Sequence, residues 1–389
     1  MISTSNSKPG TWLSKIGLIL LGLGTAFFVL EISFRLLHIQ IRPTPKIFRE
    51  LDDRTRLDTY PTNPRNYFKI DLRNSTGTAY LDRLLKQNKY SKDEILKTPY
   101  AVLISRNSKA LRNPEFSNPP KKGTIRILVM GDSMTEGEGV NEEDAFVRKL
   151  DQLLQAHPHS SPVEIINGGH RGYDIWQIYD NFKRKILRWH PDIVLYVFTL
   201  NDTHLTPAMR ENSNFINDLG LLRPEQFAQT RPLKKFLNHF RVFEFINFRL
   251  ARRNSTEKAV RWYQAMTSPK NEPAWSKTQE LIAKMAQISS RHHIRFCATV
   301  LPLMFQLDEN YPFRDYHRQL VEVFEKNDIP VLDLFPSFKG QEAKKLIVHP
   351  ADFHPNEIGH QIIAEGLYPF LDQQIIQVQK PKEKVEKTS

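Results

Sequence analysis

The stretch Thr124-Ile125-Arg126-Ile127-Leu128-Val129-Met130-Gly131-Asp132-Ser133-Met134-Thr135-Glu136-Gly137 decides the fold. Its first seven residues are mostly apolar and β-branched and stop at a glycine, the pattern of a strand buried on both faces. A polar turn follows at once. Working outward, Asp144–His157 carries Phe146, Leu150, Leu153 and Leu154 at helical spacing. Val163–Ile166 reads as a second strand, and Asp174 can cap a helix that runs to about His190 before Pro191 closes it. Ile193–Phe198, Ile294–Leu301 and Pro330–Leu334 read as three further strands, and Glu357–Leu371 as a closing helix. Repeated βα units of this kind imply a parallel sheet with helices on both faces.

The composition suits one sizeable α/β domain with attachments: 389 residues, 40% hydrophobic and 25% charged. With 55 basic against 43 acidic residues the formal charge is +12. The basic residues are scattered and no nucleic-acid-binding signature accompanies them, so the charge favours an anionic membrane surface or solubility, and no nucleic acid partner. Cys297 is the only cysteine, which excludes an intrachain disulfide framework and a multi-cysteine metal site. Its apolar neighbours mark it as a buried structural thiol.

Near the N-terminus, Ile16 to Phe34 gives 19 residues whose apolar run is broken only by Glu31. That is close to the ~20 a helix needs to cross a bilayer. Glu31 and Arg35 stand four apart and could pair on one face. A cleavable signal peptide is the rival reading, but no A-x-A-like site follows, which favours a retained anchor. Lys8 and Lys15 precede the segment, while Arg35, Arg42, Lys46 and Arg49 follow it. This count leans towards a cytoplasmic C-terminal side. Signal anchors nevertheless export long domains, and the expectation here is a single-pass membrane protein with an extracytoplasmic catalytic domain.

The chain therefore divides into a short tail (1–15), an anchor (16–38), a polar, proline-bearing juxtamembrane segment (39–122), the α/β domain (123–372) and a Lys/Glu-rich tail (373–389) read as disordered. Between the third and fourth strands lies an insertion of roughly ninety residues, its bulk at about 203–277, far beyond ordinary loop length. Within it, Phe236–Arg253 interleaves Phe240, Phe243, Phe245 and Phe248 with Arg241, Arg249, Arg252 and Arg253. A helix packed on the domain is the plainer reading; a membrane-touching or substrate-covering helix is the alternative.

Chemistry-bearing residues gather behind the strands. Ser133 follows the first, Asn167-Gly168-Gly169-His170-Arg171-Gly172 the second and Asn201-Asp202 the third, while a long loop after the fifth leads to Asp352-Phe353-His354-Pro355-Asn356. In a doubly wound sheet of order 2-1-3-4-5, Gly172, Ser133 and Asn201 would line one edge at the switch point where ligands bind. The fifth strand would end about 14 Å from the first. A 19-residue connection from Phe335 to Phe353 can reach ~65 Å, so His354 can return to Ser133. Acyl transfer requires such a set. A hydroxyl nucleophile needs a neighbouring base, here His354, and the base needs an orienting acid, here Asp352. The oxyanion needs donors, for which the Ser133 and Gly172 amides and the Asn201 side chain are candidates.

These residues carry a family resemblance. Gly131-Asp132-Ser133, the glycine of Asn167–Gly172, Asn201-Asp202, and His354-Pro355-Asn356 with Gly359-His360 resemble blocks I, II, III and V of the SGNH (GDSL-like) hydrolases. Asn107-Ser108 with Leu111-Arg112 resembles the approach segment of the membrane-anchored bacterial type. The resemblance implies a flavodoxin-like three-layer α/β/α sandwich with a parallel sheet, here preceded by one N-terminal transmembrane helix. It implies no cofactor and no metal, and esterase, lipase, thioesterase or O-acyltransferase chemistry on an acyl-ester substrate such as a lipid or an acylated glycan. One departure stands out: the family's acid lies three residues before the histidine, where this chain has Ala351, and Asp352 lies two before. A Ser-His dyad is the alternative to a triad.

Singly, each piece has a plainer explanation: Ser133 as a helix cap, Asn201-Asp202 as a turn, Asp352 and His354 as loop residues. Together, in order and each behind a strand, they point to a serine esterase. An O-acyltransferase of a cell-envelope polysaccharide and a non-catalytic envelope assembly protein are the rivals.

Overall fold

A computed structural model describes residues 9–37, 68–71, 101–104, 106–157, 159–203, 239–243, 245–246, 260–349 and 352–379. Helix α1 (Pro9–Leu36) comes first. Strands β1 (Phe68–Asp71) and β2 (Ala101–Ile104) pair in parallel as a small separate sheet. The main domain runs β3 (Ile125–Met130), α2 (Ser133–Glu136), α3 (Phe146–Ala156), β4 (Val163–Asn167), α4 (Ile175–Trp189), β5 (Ile193–Phe198), α5 (Glu272–Arg291), β6 (Arg295–Val300), α6 (Arg314–Lys326), β7 (Val331–Asp333), α7 (Phe335–Phe338), β8 (Ile347–His349), β9 (Asp352–Pro355) and α8 (Glu357–Gln379).

The five main strands are all parallel, in the order β4-β3-β5-β6-β7. This is the 2-1-3-4-5 order expected from the sequence. Every residue of β3 and β5 is buried, because strands covered on both faces by helices have no solvent side. Helix α3 packs with α8, and α4 with α5. Helix α4 begins as read: Asp174 and Gln177 form a reciprocal capping box, and His190 ends the helix in the left-handed region just before Pro191. Where α3 meets α8, the Phe146 amide donates to Nδ1 of His360 at 3.1 Å and the two rings stack. Burial pushes the His360 imidazole down to about 3, so it is neutral and serves packing.

Three differences from the sequence reading have physical reasons. The closing helix does not stop near Leu371 but continues through Gln379, so 373–379 are helical rather than tail. Ile375 is fully buried, and Gln374 accepts a hydrogen bond from Nε of Arg295 at 2.9 Å. The long connection before His354 is also not all loop, since β8 and β9 form an antiparallel hairpin within it. Finally, α5 starts at Glu272, inside the stretch assigned to the insertion, because Trp275, Leu281, Ile282 and Met285 give it a core-facing side.

A chain ending at Gln379 is expected to melt with the full-length protein, whereas one ending at Asp372 should melt roughly 5–10 °C lower, since losing a buried isoleucine alone costs about 2–5 kcal/mol. Equal melting temperatures would place the end of the fold near Leu371.

Candidate active site

Strand β3 delivers the chain to a tight turn. A side chain at Gly131 would collide with that of Thr135 and with the Val197 carbonyl, so the turn requires glycine. Asp132 then caps α2 by accepting from the Met134 amide at 2.9 Å. The cap sets Ser133 at the start of α2, half-buried, with Oγ 2.8 Å from Nε2 of His354. His354 lies on β9, close to the point where α8 begins at Glu357. Asn356 Oδ1 accepts from the Ile358 and Gly359 amides at 3.0 and 3.1 Å, while its Nδ2 donates to the Lys345 carbonyl at 2.8 Å. Helix cap and hairpin are thus tied by one side chain near the histidine.

The second loop folds over α2. A Cβ at Gly169 would collide with the backbone of Thr135 and Glu136. Gly172 has φ +76°, a conformation that side chains disfavour. In the third loop, Asn201 Nδ2 donates to Oδ2 of Asp132 at 2.8 Å. One of its two amide hydrogens is spent there, and an amide has a second to offer.

Beneath these groups lies a buried polar network. Asp132 is fully buried, and desolvation raises its carboxyl above the usual range against the bonds from Asn201 and Met134. Asp202 is also fully buried; desolvation and then repulsion by Asp132 drive its carboxyl well above the usual range. The Thr199 hydroxyl stands 3.0 Å from Asp132 Oδ2, 3.1 Å from Asp202 Oδ1 and 3.1 Å from Asn201 Oδ1. A hydroxyl has one hydrogen for three acceptors. A proton on Asp202, the direction in which burial drives it, would let Asp202 donate to Thr199 and Thr199 donate to Asp132. Tyr196 Oη and the Thr199 amide donate to the other Asp202 oxygen at 2.9 and 3.2 Å.

Some participants gave no signal in the sequence. Glu138, 2% exposed, brings Oε2 to 4.0 Å from Nε2 of His354 and to 3.2 Å from Nε of Arg171. Glu136 accepts from the Arg171 amide at 2.8 Å and from Arg106 Nη2 at 2.6 Å. These two glutamates therefore tie the end of α2 to the residue before Gly172. Arg112 is buried and donates to the carbonyls of Glu136, Gly137 and Val140. Its place in the Asn107–Arg112 segment was the available clue, and in the fold that segment braces the turn that carries Ser133.

Ser133 and His354 are together, Asn201 is joined to Asp132 and Gly172 holds a positive φ. Asp352 opens β9, but its side chain lies outside the described residues. Asp333, the last residue of β7, pairs with His317 at 2.7 Å. Burial pushes the Cys297 thiol up to about 12, so it is inert at neutral pH.

The network gives a stability test. An aspartate in the unfolded chain titrates near ~3.9. With the folded carboxyl raised, the stabilisation is complete below that pH and is lost as pH climbs through the folded value. Asp202→Asn reproduces the neutral acid's donor and acceptors without a proton to lose. The melting temperature of the variant relative to wild type should therefore rise from pH 5 to pH 8; a pH-independent difference would mean that Asp202 is ionised.

The model of the GDSL-like Lipase/Acylhydrolase family matches residues 129–362. A match over that much of the chain shows that the protein belongs to this family. No curated protein sequence matches it. Among solved structures, similar ones include an acetyl xylan esterase, AlAXEase, at 14% identity, covering 64% of this chain and 100% of its own, with TM-score 0.40. Another is the psychrotrophic esterase EstA from Pseudoalteromonas sp., at 14% identity, covering 64% and 98%, with TM-score 0.37. A third is a member of the lipolytic protein G-D-S-L family from Veillonella parvula DSM 2008, at 13% identity, covering 64% and 99%, with TM-score 0.37.

Proposed function

We propose that this GDSL-like hydrolase is a membrane-anchored serine esterase that works through an acyl-Ser133 intermediate. The observation that carries the reading is the 2.8 Å contact between Ser133 Oγ and His354 Nε2, on a hydroxyl that a helix cap holds at the carboxyl edge of the sheet. That pair is what a weak hydroxyl nucleophile needs.

In the proposed reaction, Oγ attacks the ester carbonyl carbon while its proton passes to Nε2. The resulting oxyanion meets the Ser133 and Gly172 amides and the second hydrogen of Asn201 Nδ2. The intermediate collapses, the ester C–O bond breaks, and the imidazolium returns the proton to the leaving alcohol. Water repeats the sequence on the acyl-serine and releases the acid. Glu138, 4.0 Å from Nε2, favours the transient imidazolium, while its pairing with Arg171 keeps the carboxylate in place.

The orienting acid is assigned to Asp352. A strand repeats its faces every second residue. On β9, positions 352 and 354 therefore share a face, which three-residue spacing on an extended strand would not give. The hairpin supports the shortened spacing as a local solution to the same need. Helix α1 supports the anchor: its 28 residues extend about 42 Å at ~1.5 Å per residue, and Ser14–Leu36 has a mean hydropathy of 2.1. We place the catalytic domain outside the cytoplasm, acting on an acyl ester carried by a lipid or a glycan.

Ser133→Ala is expected to fold normally yet lose fluorophosphonate labelling and hydrolysis across aryl esters from acetyl to palmitoyl. Asn201→Ala should lower kcat by roughly 10²–10³-fold with little change in KM. Full labelling of Ser133→Ala would sink the nucleophile assignment. Transfer to an added sugar acceptor in place of acid release would make the enzyme an acyltransferase.

For the acid, Asp352→Asn should keep the fold but cut kcat by roughly 10⁴-fold, through loss of the correct histidine tautomer. Activity within a few-fold of wild type, with His354→Ala dead, would mean that Ser133 and His354 act as a dyad.

A further inference from the structure

One residue of α1 breaks its pattern of exposure. Glu31 is 5% exposed, whereas Phe28, Val29, Leu30 and Ile32 around it are 48–61% exposed. What covers Glu31 is the described part of the insertion, residues 239–243 and 245–246. The Val242 amide donates to Glu31 Oε2 at 3.0 Å, and Arg35 Nε donates to the other carboxylate oxygen at 2.7 Å. Arg35 Nη2 also reaches the His239 carbonyl at 2.9 Å. Phe240 stands edge-on to Phe27 and Phe245 edge-on to Phe34, each pair 5.4 Å between ring centroids.

Positions 27, 31 and 34 share one helical face. The contacts run in order, 27 with 240, 31 with 242 and 34 with 245, so the described part of the insertion lies along the last turns of α1 rather than across its end. Phe27 precedes Leu36 by nine residues, about 13 Å of helix. Charged groups at membrane depth persist where they pair with each other and with backbone groups, and Glu31 and Arg35 do both. On the remaining faces of α1, large apolar side chains from Leu18 to Leu36 are exposed. The insertion's own Ile246, next in sequence to Phe245, is 46% exposed. Its sequence continues with Phe248, then Arg249, Arg252 and Arg253, an apolar residue followed by cations suited to anionic headgroups.

We infer that residues 239–246 are a membrane-seated foot of the insertion, docked on the anchor through Glu31, and that the lipid bilayer occupies the foot's outward face. The inference rests on reading α1 as a membrane span. Two attachment points in place of one hold the catalytic domain against the bilayer at a set orientation, because a single helix leaves its domain free to swivel.

The test uses the full chain with Cys297→Ser, so that single cysteines placed at Ile246 or at Leu23 can carry an environment-sensitive fluorophore. Leu23 is 64% exposed on α1 and reports the span alone. In phosphatidylcholine/phosphatidylglycerol vesicles, acyl-brominated lipid should quench both labels and aqueous iodide neither. Lipid quenching at Leu23 with iodide quenching at Ile246 would overturn the foot and leave the span standing. Absence of lipid quenching at Leu23 would overturn the span, and the foot with it. Adding Glu31→Ala should raise iodide quenching at Ile246 at least twofold while leaving Leu23 unchanged; no change at Ile246 would remove Glu31 as the docking residue.

Discussion

A carboxylate taken out of water must be surrounded by donors, and Asp132 is such a carboxylate at the centre of this domain. Its donors come from the turn that carries Ser133 (the Met134 amide) and from the loop after β5 (Thr199 and the Asn201 side-chain amide). Satisfying one buried acid therefore fixes the distance between the two loops on which Ser133 and Asn201 sit. Because β3 and β5 are adjacent parallel strands, their carboxyl ends already lie side by side, and Asp132 converts that proximity into a set geometry. Asp202 extends the same logic one layer deeper: it too is buried, and Tyr196 Oη, the Thr199 amide and the Thr199 hydroxyl stand against its carboxyl.

Around this core, arginine plays a different part from the one its abundance suggests. Much of the formal positive charge is consistent with a surface property, but Arg112 and Arg126 are buried and act as backbone clamps. Arg112 gathers the carbonyls that follow Ser133 at the end of α2. Arg126, within β3, donates to the Trp189 and Ser117 carbonyls and pairs with Glu164, pinning the approach segment beneath the sheet. The fork of a guanidinium suits this role because it presents several donors in fixed directions to carbonyls that no helix or strand satisfies. Glu136 and Glu138 complete the pattern on the second loop, through Arg171.

The histidine reaches the serine by a less direct route than a loop. The β8–β9 hairpin stiffens the return path, and Asn356 locks it to the start of α8. A rigid path costs less entropy at the site than a free connection of that length would. It also gives the two-residue interval between Asp352 and His354 a setting in which the interval suits the backbone period.

From the sequence by itself came the parallel sheet, its strand order, the apolar helix at the N-terminus and the positions of Ser133, Gly172, Asn201 and His354. These were legible because each is a local signal: burial on both faces writes a continuous apolar run, and polar residues at strand ends interrupt it abruptly. What only the tertiary structure decided is contact between segments with no common local signal. Glu138 beside His354, Arg112 behind the turn that carries Ser133, the contacts joining Asp202, Thr199 and Asp132, and Val242 on Glu31 join residues whose neighbours in the chain say nothing about one another. The sequence shows Glu31 as an oddity in an apolar run, and Phe240 and Phe245 as ambiguous aromatics. Only their meeting, across 211 residues between Glu31 and Val242, gives each a reason, because a buried charge is tolerated where the fold, and not the local sequence, supplies its partners.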